Sequence, residues 1–156
     1  MRSHPKLSAK LVGMATQATY EDVNLILRLY EMRREERMRK GRDWFAKNCK
    51  PKSMEELMQL IPPGTDDNAS FRMVVTYWEM VASFVTSGVL NRDLFFQSGR
   101  ELVFVYTRLR ALIPSIREQY KDPTQMRNLE AVALDFIKWM DTQGPEVYSA
   151  FAARIS

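Results

Sequence analysis

Apolar residues recur along this chain at intervals of three and four, the spacing that lines one face of an α-helix. After Thr19, the positions Tyr20, Val23, Leu27, Tyr30, Met38, Trp44 and Phe45 fall on one side of a long helix that ends near Cys49, ahead of Pro51. Leu25, Leu29 and Met32 form a second side, so the first half of this helix is apolar nearly all round. Such a segment is sandwiched between elements or contacts a partner. Thr19, with Asp22 three residues on, supplies its N-terminal cap. Ser53 and Glu56 make a capping box that opens a short helix with Met54, Leu57, Met58 and Ile61 inward, and Pro62-Pro63-Gly64 closes it.

The most apolar helix runs from Asn68 to Ser87, with Gly88 just past its end. Phe71, Val74, Val75, Trp78, Val81, Ala82 and Val85 form one wide face, and Met73, Tyr77, Met80 and Phe84 another, which predicts the centre of the fold. Asn91 caps the next helix, buried through Leu94, Phe95, Leu102, Val105, Tyr106, Leu109, Leu112, Ile113 and Ile116. Ser98-Gly99 permits a close approach or a bend in it, and Pro114 should kink or divide it. Asp122-Pro123 reads as the start of the last long helix, which Gly144 terminates before a short helix from Pro145 through Phe151. Strand-like alternation, hairpin signals and internal repeats do not appear. The pattern predicts an all-α, single-domain helical bundle of four long helices plus short ones over residues 19–156, behind a flexible segment 1–18.

Composition agrees with one domain and narrows the chemistry. The chain has 156 residues, 46% of them hydrophobic and 27% charged. One cysteine excludes an intramolecular disulfide, and one histidine, His4, removes most His-dependent acid–base and triad chemistry. No phosphate-loop or metal-ligand spacing occurs, so neither a metal nor a cofactor is expected. No uncharged stretch approaches the ~20 residues of a membrane span. A single thiol and no export signal point to the cytoplasm.

Charge is uneven. Between Arg28 and Lys52 lie ten basic and four acidic residues, so this segment carries +6 while the whole chain carries +4. Arg33, Arg37, Lys40 and Lys47 lie along one stripe with Trp44 among them, a candidate surface for phosphates, with Trp44 stacking on a base, or for an anionic membrane. The spacings of Glu35/Arg39 and Glu36/Lys40 fit a solvated, salt-bridged face instead. Arg34 and Arg37 fall on or beside the apolar side and require internal carboxylates. Glu79 and Glu101 are the candidates, which makes Arg34, Glu79 and Glu101 a possible buried polar cluster, with Arg34 and Glu79 as a pair within it. Burial could also poise one of the two carboxylates as an acid or base. Lysines 47, 50 and 52 favour a thiolate at Cys49, but the helix end there opposes one.

Leu29-Tyr30-Glu31-Met32-Arg33-Arg34, the stretch Arg39 to Phe45, Tyr77-Trp78-Glu79-Met80-Val81-Ala82, Gly88-Val89-Leu90-Asn91, Gly99-Arg100-Glu101 and Phe104-Val105-Tyr106 carry a resemblance. Over about residues 25–135 the chain resembles a family of small uncharacterised bacterial all-helical proteins, classed as a domain of unknown function. The resemblance implies a helical fold and a bacterial source, and it carries over no catalytic residue. Some relatives have an N-terminal membrane span, for which residues 1–18 here are too short and too charged.

The expectation is therefore a non-catalytic helical interaction or scaffold module that binds a protein partner or self-associates. Electrostatic binding of nucleic acid or anionic lipid through Arg33, Arg37, Lys40, Trp44 and Lys47 is one alternative. A small-ligand binder or enzyme built on Glu79, Glu101 and arginines is the other.

Overall fold

A computed structural model describes residues 17–156, and these contain nine α-helices and no strand. They are α1 (Tyr20–Arg34), α2 (Glu36–Asn48), α3 (Met54–Leu60), α4 (Asp66–Thr86), α5 (Arg92–Phe96), α6 (Arg100–Leu109), α7 (Ile113–Gln119), α8 (Arg127–Gln143) and α9 (Val147–Ile155). The chain is an all-α single domain. Of the segment expected to be flexible, residues 1–16, with His4, lie outside the described residues.

The apolar α4 sits centrally, as its two-sided pattern requires, with α2 against one side and α8 against another. Val74, Trp78 and Val81 from α4 meet Phe45 of α2, Leu102 and Val105 of α6, and Leu129, Phe136 and Met140 of α8 in one buried core. Gly41 lets α2 approach α4 closely; a Cβ there would stand 2.9 Å from Met73 Cε. The helix expected after Asn91 is divided twice. Gly99 begins α6, where a Cβ would come within 2.5 Å of the Phe95 ring, and Pro114 sits in the first turn of α7. Arg108 then ties α9 to α2: its guanidinium donates to the carbonyls of Ile155 at 2.6 Å and Cys49 at 2.9 Å.

Two further elements differ from the sequence reading. The first long helix is two helices, broken at Glu35, whose ψ of 141° is extended. The last begins at Arg127, not at Pro123, because Asp122 closes a tight turn onto Thr124 and Gln125 instead of capping a helix. The caps of Thr19 with Asp22, a capping box, and of Asn91, which accepts from the Leu94 amide, hold as read; Ser53 accepts from the Glu56 amide, but the box expected there is not closed, because the Glu56 carboxylate accepts from the Lys52 amide instead of that of Ser53.

Asp22 also fastens α1 to the loop before α5. The Thr19 amide donates to one of its oxygens at 2.7 Å and the Asn91 amide to the other at 2.8 Å. These two bonds, Thr19 foremost, hold the carboxyl below the usual carboxylate range. A depressed folded-state pKa gives stability that is present above the unfolded value and is lost as pH falls through the folded one. Asp22→Asn should therefore flatten the acid limb of the stability curve, below about pH 4, when thermal midpoints are compared across pH. An unchanged acid limb would assign acid sensitivity elsewhere.

Candidate functional site

At the break between α1 and α2, Glu35 turns from helix residue to cap. Its carboxylate accepts from the amides of Arg37 at 3.0 Å and Met38 at 3.1 Å, so α2 starts afresh in a new direction. The inside of this elbow is polar. Arg33 Nη1 donates to Glu101 at 2.9 Å, and Arg42 Nε donates to both oxygens of the same carboxylate at 2.9 and 3.0 Å. Arg42 Nη1 also donates to the carbonyl of Arg33 at 3.1 Å, one of the groups that the helix end leaves without an intrahelical partner. Glu101 lies in the first turn of α6, where the helix dipole favours a negative charge.

Beneath this cluster the Tyr77 hydroxyl donates to the Leu29 carbonyl at 2.7 Å. Burial pushes that phenol up to about 12, so it stays a donor throughout the physiological range. The Arg33 guanidinium lies 5.4 Å from the Trp78 ring and 5.1 Å from that of Tyr30. Trp78 Nε1 is buried with no hydrogen-bond partner among the described residues, and the adjoining niche of about 30 Å³ between Ile26, Tyr30, Trp78 and Ser98 suits a water, not an organic substrate.

The elbow fixes how α1 is presented. Its inner side buries Leu29 and Asp22 and half-buries Leu25, Ile26 and Arg33. Its outer side shows Tyr20, Val23, Leu27 and Tyr30 at 87%, 41%, 55% and 49% exposure. These belong to the first of the two apolar sides that the periodicity marked on a segment either sandwiched between elements or facing a partner. The side carrying Asp22 and Arg33 is the one buried, because both need partners that only the body of the fold supplies.

The predicted polar cluster is corrected in the same way. Arg34 is exposed, 5.8 Å from the Tyr30 ring, and has no bond to Glu79. Glu101 is an internal partner of arginines as expected, but of Arg33 and Arg42, because the break rotates Arg34 out. Glu79 instead serves α8: its oxygens accept from the amides of Asn128 at 3.0 Å and Leu129 at 2.7 Å, and from the Asn128 side chain at 2.9 Å. Both carboxylates are engaged as structural acceptors, and they do not meet.

The basic stripe is likewise dispersed. Arg33 turns to Glu101, Arg37 reaches Ser70 on α4 at 3.3 Å, and Lys40 and Lys47 pair with Glu36 and Asp43 on their own helix. Trp44 is half-buried against the core. An open cleft of about 790 Å³ runs along Arg34, Arg39, Lys40 and Arg42, but Glu36, Asp43 and Glu101 share its walls. Cys49 is fully buried, and burial pushes its thiol up to about 12 against the weaker opposing effect of Arg108. Thiol reagents at pH 8 should leave the native protein unlabelled over hours and label it at once in denaturant. Fast native labelling would contradict this burial.

Sequence comparison supplies the family. A family model described as Domain of unknown function (DUF4760) matches residues 18–139. The chain belongs to that family. The matched DUF4760 region holds α1 to α7 and most of α8, and so includes both the elbow and the outer side of α1. No curated protein and no solved structure matches the chain. Among the described residues, no helix is long and apolar enough to cross a membrane, and no cluster of three or more His, Cys, Asp or Glu could hold a metal.

Proposed function

We propose that this domain is a non-catalytic interaction module that docks an amphipathic helix of a protein partner against the outer side of α1. One observation carries the reading: Tyr20, Val23, Leu27 and Tyr30 are all exposed and follow one another at three, four and three residues. That is the seam spacing of paired helices. Of the other large exposed apolar residues, Met32 lies on α1 away from this stripe, and Met58, Val89, Tyr120 and Leu134 stand singly elsewhere among the described residues. Single exposed apolar residues are ordinary, whereas a contiguous stripe marks an interaction site. With its one thiol buried, the fold depends on no disulfide, and the reducing cytoplasm suits it.

Leu27→Glu tests the site. Its side chain is exposed, so the isolated domain should change in stability by no more than about 0.5 kcal/mol. A photo-cross-linking residue at Val23 should capture a partner in the wild-type background and lose at least ten-fold of that adduct with Leu27→Glu. Equal capture in both backgrounds would remove α1 as the docking face.

A further inference from the structure

We infer that the niche lined by Arg33 of α1 and Trp78 of α4 is a binding site for one small monovalent anion of halide size. It stands apart from the docking face: its walls are on the inner side of the elbow, and its occupant is an ion.

Buried donors without acceptors mark the site. Trp78 is only 2% exposed, and its Nε1 has no hydrogen-bond partner among the described residues. An indole N–H can only donate, so burying it without an acceptor is costly. Arg33 shares the wall, with its side chain 14% exposed. It spends Nη1 on Glu101, and its Nε and Nη2 make no hydrogen bond among the described residues. A guanidinium has five N–H groups, so most of the donors of this one are unspent. Gly99, also in the wall, opens α6 with no side-chain cap.

Charge decides between an ion and a water. Two mostly buried guanidinium groups, Arg33 and Arg42, share the one carboxylate of Glu101, two positive charges to one negative. No acidic side chain lines the niche, and Ile26, Leu29, Val81 and Phe95 make much of the wall apolar. A water would have to place its own two hydrogens there. An anion accepts from every donor and supplies the missing charge. The open cleft along Arg34 and Arg39 lacks this selectivity, because Glu36, Asp43 and Glu101 share its walls.

Size sets the class. About 30 Å³ admits one occupant near the size of a water, which fits chloride or bromide and excludes phosphate, sulfate and nucleotides. Tyr30 and Ser98, both in the wall, are exposed, so the ion can exchange without unfolding. Bound there, it joins Arg33 to Trp78 and so adds a tie between α1 and α4.

The indole N–H resonances of the full chain report the site. At constant ionic strength in chloride-free buffer, sodium gluconate is exchanged stepwise for sodium bromide. Gluconate is too large to enter, so the exchange separates binding from screening. The Trp78 resonance should move and saturate, while those of Trp44 and Trp139 stay in place. Trp44→Phe and Trp139→Phe identify the Trp78 resonance by elimination. Arg33→Lys keeps the positive charge but replaces the fork by one ammonium, and it should weaken bromide binding by about ten-fold or more. A wild-type Trp78 resonance that stays in place, or that drifts without saturation alongside the other two, would overturn the anion and leave a water in the niche. Undiminished binding in Arg33→Lys would overturn Arg33 as the group that holds it. The wild-type titration decides the ion by itself, whether or not Arg33→Lys folds.

Discussion

Glu101→Ala is expected to destabilise the protein by about 2–4 kcal/mol and to release α1 before the rest of the fold opens. The carboxylate neutralises two guanidinium groups that are mostly buried, Arg33 at 14% and Arg42 at 27% side-chain exposure. Removing one member of a buried ionic group leaves the others without compensation, which costs more than the intact group contributes. Residual solvent access lowers the figure from the ~3–5 kcal/mol of a fully enclosed pair. Arg42→Met should cost less, about 1–2 kcal/mol, because Arg33 keeps its partner while its own carbonyl loses the Arg42 donor. Urea melts give the total, and amide exchange locates it. Protection should fall first at α1 and the start of α2. A loss under ~0.5 kcal/mol would mean that the elbow is held by its apolar contacts alone.

The second large effect lies 49 residues away in sequence from the helix it touches. Glu79→Ala should cost about 2–3 kcal/mol, combining a lost cap with charge-assisted bonds to amides. The residue before α8 is Met126, in left-handed conformation at φ 55° and with no side-chain oxygen to offer. Glu79 does the capping from the neighbouring helix and binds α8 to α4 while doing so. Glu79→Gln should retain roughly half of the stability lost in Glu79→Ala, since the amide oxygen still accepts one bond. The amides of Asn128 and Leu129 should be the first in α8 to exchange. Equal protection in variant and wild type would show that the helix needs no external cap.

What could be read in the chain was what its near neighbours decide. Thr19 with Asp22, Ser53 with Glu56 and Asn91 with Leu94 are contacts three residues apart, and each cap is where local chemistry puts it. The central place of α4 follows from its apolar girth. The elbow at Glu35 carried no glycine or proline, and its only local signal was a carboxylate two and three residues before the amides it caps. That Glu101 would meet arginines was legible, because arginines beside an apolar side require an acid. Which arginines was not: a helical wheel drawn through residue 35 keeps a phase that the break resets. The same reset dispersed the basic stripe. Which side of α1 turns outward was left open for a different reason. Both sides of that helix were apolar enough to be buried, and the polar demands of Asp22 and Arg33 decided between them.

The bend at Glu35 also has an order in time. The joint holds no glycine or proline; Glu35 caps α2 from within it, and the distant grip on it comes from a carboxylate 59 residues beyond Arg42 and 68 beyond Arg33. A ribosome delivers the chain N-terminus first, at ~5–20 residues per second. For several seconds, then, residues 20–48 are outside the tunnel with no Glu101 to hold them, free to run on as a single rod. The outer side of α1 acquires its final bearing only when the start of α6 emerges, so a nascent chain cannot hold that surface in place for a partner until synthesis has run well past residue 101.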